Sequence, residues 1–265
     1  MKSLQELRKL PHHSYSSISA WMQCSLKYYF RNVLHLDPEL TSKNLLFGVA
    51  FHRTMDHLAK LRIANQEIQR SETREFFERE WNNQILCNRN IDFETDDEAD
   101  SLKTKGMEMI NAYEWDGSRI IGHSEAFSVN IPGVNLPVIG EFDMVVEDEN
   151  GDATIVDFKT SGRKWAEDKP SKDMQATLYT YAYRQTTGRS ANFRFDVITK
   201  GKTPALQKLP TSRTQDDYGR MIKVFQSVEK GIDAGVFLPN EASFFCSGCE
   251  FAKNCAGWGK CQKVA

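Results

Sequence analysis

The stretch IVDFKTSGRKW, residues 155–165, reads as a β-strand into which charge has intruded. Side chains alternate along a strand, so Asp157 and Lys159 share one face while Val156 and Phe158 point to the other. An exposed ion pair on a half-wet sheet would account for the pattern and would matter little energetically. A metal-binding carboxylate beside a cation that faces the same substrate would account for it equally well. Chance supplies roughly one D-x-K in a chain of this length, and Glu167 with Lys169 repeats the acid-x-lysine spacing a few residues on. The neighbouring sequence has to decide.

Working outward, HSEAFSVNI (123–131), VIGEFDMVVEDE (138–149) and ATIVDFKT (153–160) are rich in Val, Ile and Phe and are separated by PGVNLP and by the NGD turn. They predict a three-stranded meander. KDMQATLYTYAYRQTTG (172–188) predicts a helix ended by Gly188, and NFRFDVITK (192–200) a further strand, so a crossover helix makes the sheet mixed. Helical spacing is expected at 17–34, 45–64, 72–87, 98–115 and about 213–235. The fold class is therefore α/β: helices, a meander, a helix and a strand around a mixed central sheet.

The bulk numbers agree with one soluble globular chain of 265 residues. No apolar run reaches the length of a membrane span; LLFGVAF (45–51) is the nearest. MKSLQELRKLPHHSYSS lacks the apolar segment of a secretory signal, so a cytoplasmic setting is expected. The net charge of -2 gives no global sign of a polyanion partner. The acids are concentrated in DFETDDEAD (92–100) and EDENGD (147–152), however, and setting these solvated runs aside leaves a mildly basic remainder.

On the second meander strand, Asp143 shares a face with Glu141 and Val145, while Phe142 and Met144 face the other way. If the tight EDENGD hairpin pairs the strands, Asp143 stands near Asp157, and two such carboxylates repel unless a cation lies between them. Mg²⁺ suits oxygen ligands and Mn²⁺ also accepts an imidazole. His52 in GVAFHRTMDHLAK could provide one. His57 competes with it, and His12, His13, His35 and His123 have no supporting context. Gln175 and Tyr179, at i and i+4, share a helix face.

In order, GVAFH (48–52), GEFD (140–143), DFK (157–159) and QATLY (175–179) resemble the motifs of the RecB-like branch of the PD-(D/E)xK nucleases. SYSSISAWMQCSLKYYFRNVLHL (14–36) is similar to that branch's N-terminal signature, so the resemblance spans nearly the whole chain as a single restriction-endonuclease-like domain. Its expected parts are a helical 1–120, a catalytic sheet at 121–200, and a helix with a cysteine-rich tail at 201–265. The resemblance implies that His52, Asp143, Asp157 and the Phe158 carbonyl bind Mg²⁺ or Mn²⁺. It implies that Lys159 orients the attacking water or stabilises developing charge, and that Gln175 and Tyr179 position Lys159 or the DNA backbone. Glu125 and Glu141 are candidates for outer ligands.

Six cysteines in a cytosolic chain argue against disulfides. Cys87 reads as a buried or half-buried thiol in a helix. Cys246, Cys249 and Cys255 follow C-x2-C-x5-C spacing, which suits zinc or an iron–sulfur cluster. A fourth ligand could be Cys261 nearby or the remote Cys24. The resemblance, to AddB-type subunits and CRISPR-associated adaptation nucleases, favours Cys24 and a [4Fe–4S] cluster that joins the N- and C-terminal segments.

The reading that follows is a metal-dependent deoxyribonuclease, an exonuclease on single strands or DNA ends. Trp21, Tyr28, Tyr29 and Phe30 could stack on bases or belong to the core, and Arg163, Lys164, Lys169 and Lys172 could contact phosphates. The sequence holds no P-loop, so helicase activity would come from a partner protein in recombination or CRISPR adaptation. The rival readings are a catalytically silent DNA-binding or assembly subunit that keeps its cluster for structure, and a redox sensor.

Overall fold

Apolar residues recur mostly at helical period before residue 119, and period-two runs alternate with helical ones after it; the computed structural model describes residues 2–259. Its elements in chain order are α1 (Leu4–Leu7), β1 (His13–Ser14), α2 (Tyr15–Gln23), α3 (Ser25–Tyr28), a π-helical turn (Tyr29–Val33), α4 (Lys43–Ile63), α5 (Arg70–Cys87), α6 (Glu98–Asn111), β2 (Arg119–Val129), β3 (Val138–Glu147) and β4 (Ala153–Ser161). After these come α7 (Lys169–Lys172), α8 (Met174–Thr187), β5 (Ala191–Thr199), β6 (Leu206–Thr211), α9 (Gln215–Asp233), a 3₁₀ turn (Phe244–Cys246) and α10 (Ala252–Gly257). No helix among the described residues is long and apolar enough to cross a membrane.

Six strands form one mixed sheet in the order β1-β3-β4-β5-β6, with β2 also paired to β3. The meander β2-β3-β4 is antiparallel, β4 runs parallel to β5 through the α8 crossover, and β6 closes the edge antiparallel to β5. Two strands are additions to the expected set: the two-residue β1, parallel to β3, and β6. The expected helix over 17–34 is broken. Cys24 takes an extended backbone between α2 and α3, and the segment then widens into the π turn.

Each face of the sheet has its own core. One lies under α2, α8 and α9 and includes Ile18, Phe127, Phe142, Phe193 and Phe225. The other lies under α4, α5 and α6 and includes Phe47, Phe51, Trp81, Met144 and Phe158. The sheet is thus covered on both sides, which removes the half-wet sheet as an explanation for Asp157 and Lys159.

Strand β3 does not alternate throughout. Phe142 packs on Tyr179 and Tyr183 of α8, whereas Met144 belongs to the α4 side, so the expectation that both share a face fails. The reason is local. The β3–β4 ladder pairs Met144 with Val156 and stops there, and beyond it the amide of Phe158 donates to the side chain of Asp143 at 2.9 Å. The strands part at the two acids, and strict alternation requires an unbroken ladder.

The GEFD glycine has a steric cause. A Cβ on Gly140 would lie 2.4 Å from Cζ of Phe127, a ring fixed between Phe142 and Tyr179. Gly48 of GVAFH has no such cause, since a Cβ there would meet nothing within 4 Å. Gly140→Ala is therefore expected to lower unfolding free energy by about 1–3 kcal/mol, with Gly48→Ala neutral or stabilising. Chemical denaturation of the two variants checks the contrast.

Candidate functional site

The parting of β3 and β4 opens a cleft of about 670 Å³ whose lining includes Asp143, Lys159, Gln175 and Tyr179. Its floor carries Glu141 and Asp143 of β3 and Lys159 of β4. Asp157 of β4 lies buried behind Lys159, and α4 brings His52 up to Asp143 from the opposite core, with its ring edge-on to Phe158. Phe158 itself is 1% exposed and anchors β4 from behind.

Asp157 is only 2% exposed. Its Oδ1 accepts from Gln175 Nε2 at 2.7 Å, and Oδ2 is paired with Lys159 Nζ at 2.5 Å. Burial raises the Asp157 pKa, Lys159 opposes that rise and Asp143 adds to it; the net result is about 6. Asp143 is held below the usual carboxylate range. Burial would push it up, but the neighbouring His52, at 3.2 Å, together with Lys159 and the Phe158 amide, more than offsets this. Burial acts against the charge on Lys159 and on His52 as well, yet the two aspartates raise both. Glu141 is pushed up by burial and by the nearby Asp143 and Asp56.

Gln175 and Tyr179 reach the site differently from the reading above. Gln175 holds Asp157 rather than Lys159. Tyr179 is clamped by Phe127, Phe142 and Phe193, and burial, with Asp157 and Asp143 nearby, pushes its hydroxyl well up. Helix α8 is aimed by its N-cap: Asp173 Oδ1 accepts from the Gln175 amide and from the Tyr15 hydroxyl of α2, each at 2.9 Å. Tyr15 escaped the sequence reading because its partner lies 158 positions away. Glu125 packs against Gly122 on β2. His57 stacks on Phe76, His13 is buried on Glu229, and His123 pairs with Asp56, so none of the three competes with His52. Glu167 and Lys169 are exposed, and Lys169 lies over the Trp165 ring instead of joining the cleft.

Among the described residues, no three His, Cys, Asp or Glu side chains stand as a ready-made metal shell. In the cleft the acids are engaged by the protein's own groups, His52 with Asp143 and Lys159 with Asp157. The donor set still suits a hard divalent cation: two facing carboxylates and an imidazole, with Lys159 holding the place of a cation on the buried Asp157 Oδ2.

A second cavity, of about 240 Å³, is lined by Cys24, Cys246, Cys249 and Cys255, all free thiols. Leu26, Phe30 and Phe251 form the small core beneath it. Burial and the other three sulfurs raise the Cys255 thiol. The four thiols share one cavity but do not stand as a ready-made metal site; thiolates are the ligand type of zinc and of iron–sulfur clusters alike. Cys261 lies outside the described residues. Cys87 is exposed on α5, not buried, because it sits at the last residue of that helix on its outer face. Of the proposed stacking aromatics, Tyr28 and Phe30 are buried, Trp21 packs against Gly231 and Tyr29 stacks on Phe237; they belong to the packing.

The cleft's other wall went unread in the sequence. Arg8, Lys27 and Arg31 line it together with Ser14, Ser16, Ser19 and Gln23. Their only sequence signal is the spacing of Ser19, Gln23, Lys27 and Arg31 at four-residue intervals.

No curated protein matches the sequence. Among solved structures, a crystal structure of a candidate exonuclease from Eubacterium rectale is similar, with 15% identity, 92% of this chain and 90% of that chain covered, and a TM-score of 0.58. The crystal structure of SSO0001 is more distant, with 12% identity over 86% of this chain and 92% of that one, and a TM-score of 0.37. The first likeness shows a shared fold. The family profile described as the PD-(D/E)XK nuclease superfamily matches residues 12–256, nearly the entire chain, and the chain accordingly belongs to the PD-(D/E)XK nuclease superfamily.

Proposed function

We propose that this protein is a divalent-metal-dependent deoxyribonuclease that works as an exonuclease on single strands or DNA ends, in repair, recombination or CRISPR adaptation. The observation that carries the reading is a buried acid, Asp157, held at about 6 directly behind Asp143 and Lys159, which line an open cleft. A sheet gains nothing in stability from two carboxylates brought together in its interior, so their placement is best explained by a cation and a phosphate.

In this reading His52, Asp143, Asp157 and the Phe158 carbonyl hold Mg²⁺ or Mn²⁺, with Glu141 and Glu125 further out. The ion supplies Lewis acidity toward the scissile phosphate and the attacking water. Gln175 fixes the rotamer of Asp157, and Tyr179 supports Gln175 from the packed side of α8. Lys159, 27% exposed, exchanges its contact with Asp157 for the substrate and stabilises the charge that develops on the phosphate. Cys24, Cys246, Cys249 and Cys255 hold a [4Fe–4S] cluster that ties residues more than 200 positions apart, a restraint on the unfolded chain.

Labelled single- and double-stranded DNA should be degraded with Mg²⁺ or Mn²⁺ and spared in EDTA. Asp157→Ala and Lys159→Ala should each lower the rate by about 100-fold or more; full activity in both variants would leave only a scaffold.

Metal binding should also depend on pH with a definite sign. The Asp157 pKa is raised above its usual 3.8 and that of His52 above its usual 6.5, so both protons must leave before a cation binds. Mn²⁺ should therefore raise the melting temperature more at pH 8 than at pH 5, and the shift at pH 8 should be lost in Asp157→Asn. Protein purified without oxygen should be brown and lose its visible absorption in Cys24→Ala. A colourless protein with one zinc per chain would replace the cluster by zinc.

A further inference from the structure

The cleft's two walls carry opposite chemistry. The floor holds the acids, while the N-terminal wall presents Arg8, Lys27 and Arg31 behind a row of hydroxyl and amide side chains. Ser19 and Gln23 lie one turn apart on α2, Lys27 follows after the break at Cys24, and Arg31 follows within the π turn, a rare helical form often found at functional sites. The row leads from the acids toward the cysteine cavity, which Gln23 and Lys27 also line.

At its far end the row meets a single carboxylate. Glu250 lies 2.9 Å from Lys27 Nζ and also bonds Arg31, so one anion serves two cations. Glu250 sits between Cys249, at the cavity, and Phe251, in the small core beneath it. Its partners are strained electrostatically: burial and the adjacent Arg31 both lower the Lys27 pKa. Arg31 remains about half exposed on its side chain. Two cations with half the anion they need, facing a groove that ends at catalytic acids, suit a phosphate diester better than a protein carboxylate.

We propose that Gln23, Lys27 and Arg31 form a phosphate track for a single nucleic-acid strand leading away from the catalytic acids, and that Glu250 is a removable counterion that a strand phosphate displaces. This rests on the nuclease reading for the identity of the strand. It adds a distinct role for the cysteine-bearing segment, which sets how tightly Glu250 occupies the track. Arg8, at the near end beside Glu141, lies outside the Glu250 competition and acts on the strand only through its charge.

The test is binding of a fluorescein-labelled oligothymidylate to the intact protein in EDTA, followed by anisotropy across a salt series, so that no cleavage is needed. Lys27→Ala/Arg31→Ala should weaken binding about 10-fold at low salt and flatten the slope of log affinity against log salt by about 1. Glu250→Gln should do the opposite to affinity, tightening binding several-fold, because it removes the competing anion while keeping the side chain's size. A purely structural Glu250 would weaken binding in Glu250→Gln, and unchanged affinity and slope in the double variant would likewise overturn the track. Circular dichroism melts show whether each variant is folded. Binding that responds as stated in a protein that cleaves no DNA would sink the nuclease reading alone; cleavage with unresponsive binding would sink the track alone.

Discussion

The cost of an ionised carboxylate inside a covered sheet is the constraint on which the rest of the structure depends. Asp157 lies between two cores, where water cannot solvate it, and Asp143 stands on the facing strand. Four neighbours of the pair answer that cost. Lys159 and Gln175 engage Asp157, and His52 and the Phe158 amide engage Asp143. Because the amide of Phe158 is spent on a side chain, the β3–β4 ladder ends at Met144 and Val156, and the gap becomes the cleft. The opening is thus a consequence of the acids, which take the place of a backbone carbonyl in the ladder.

The outer elements hold this arrangement in position. Asp173 caps α8 and binds Tyr15, so α2 and the crossover helix are set relative to each other at the point where Gln175 leaves the helix. His13 and Glu229 form a buried pair at 2.6 Å, and Glu229 also accepts from the Asn135 amide, which fastens β1 and the β2–β3 loop to α9. On the other side of the molecule, a buried network of Tyr113, Arg194 and Asp196 braces β5 behind the site. The His13–Glu229 pair and the Tyr113–Arg194–Asp196 network do not line the cleft.

Much of this was legible in the sequence because its signals are local. The meander follows from period-two runs separated by turn residues, the helix after β4 from a periodic run ended by Gly188, which adopts positive φ, and the four motifs from residues within a few positions of each other. What escaped is what tertiary packing alone decides. Strand β1 has two residues and no pattern of its own, and β6 is a short edge strand containing Pro210. The cationic wall is assembled from the C-cap of α1, from α3 and from the π turn, over 100 positions from the acids it faces. The resemblance implies that Gln175 positions Lys159 or the DNA backbone, whereas its side chain donates to Asp157, a contact between helix and strand that only packing decides. The switch of faces at Asp143 was invisible for a related reason: alternation presupposes that the ladder continues.

The central claim is that Asp143 and Asp157 tolerate burial because a divalent cation takes over their charge. Calorimetric titration of Mn²⁺ into the protein at a pH just below 6, in two buffers of different ionisation enthalpy, measures both binding and the protons that accompany it. The account requires binding with net proton release, and the loss of both in Asp157→Asn. Binding without proton release, or binding that survives in Asp157→Asn, would contradict it.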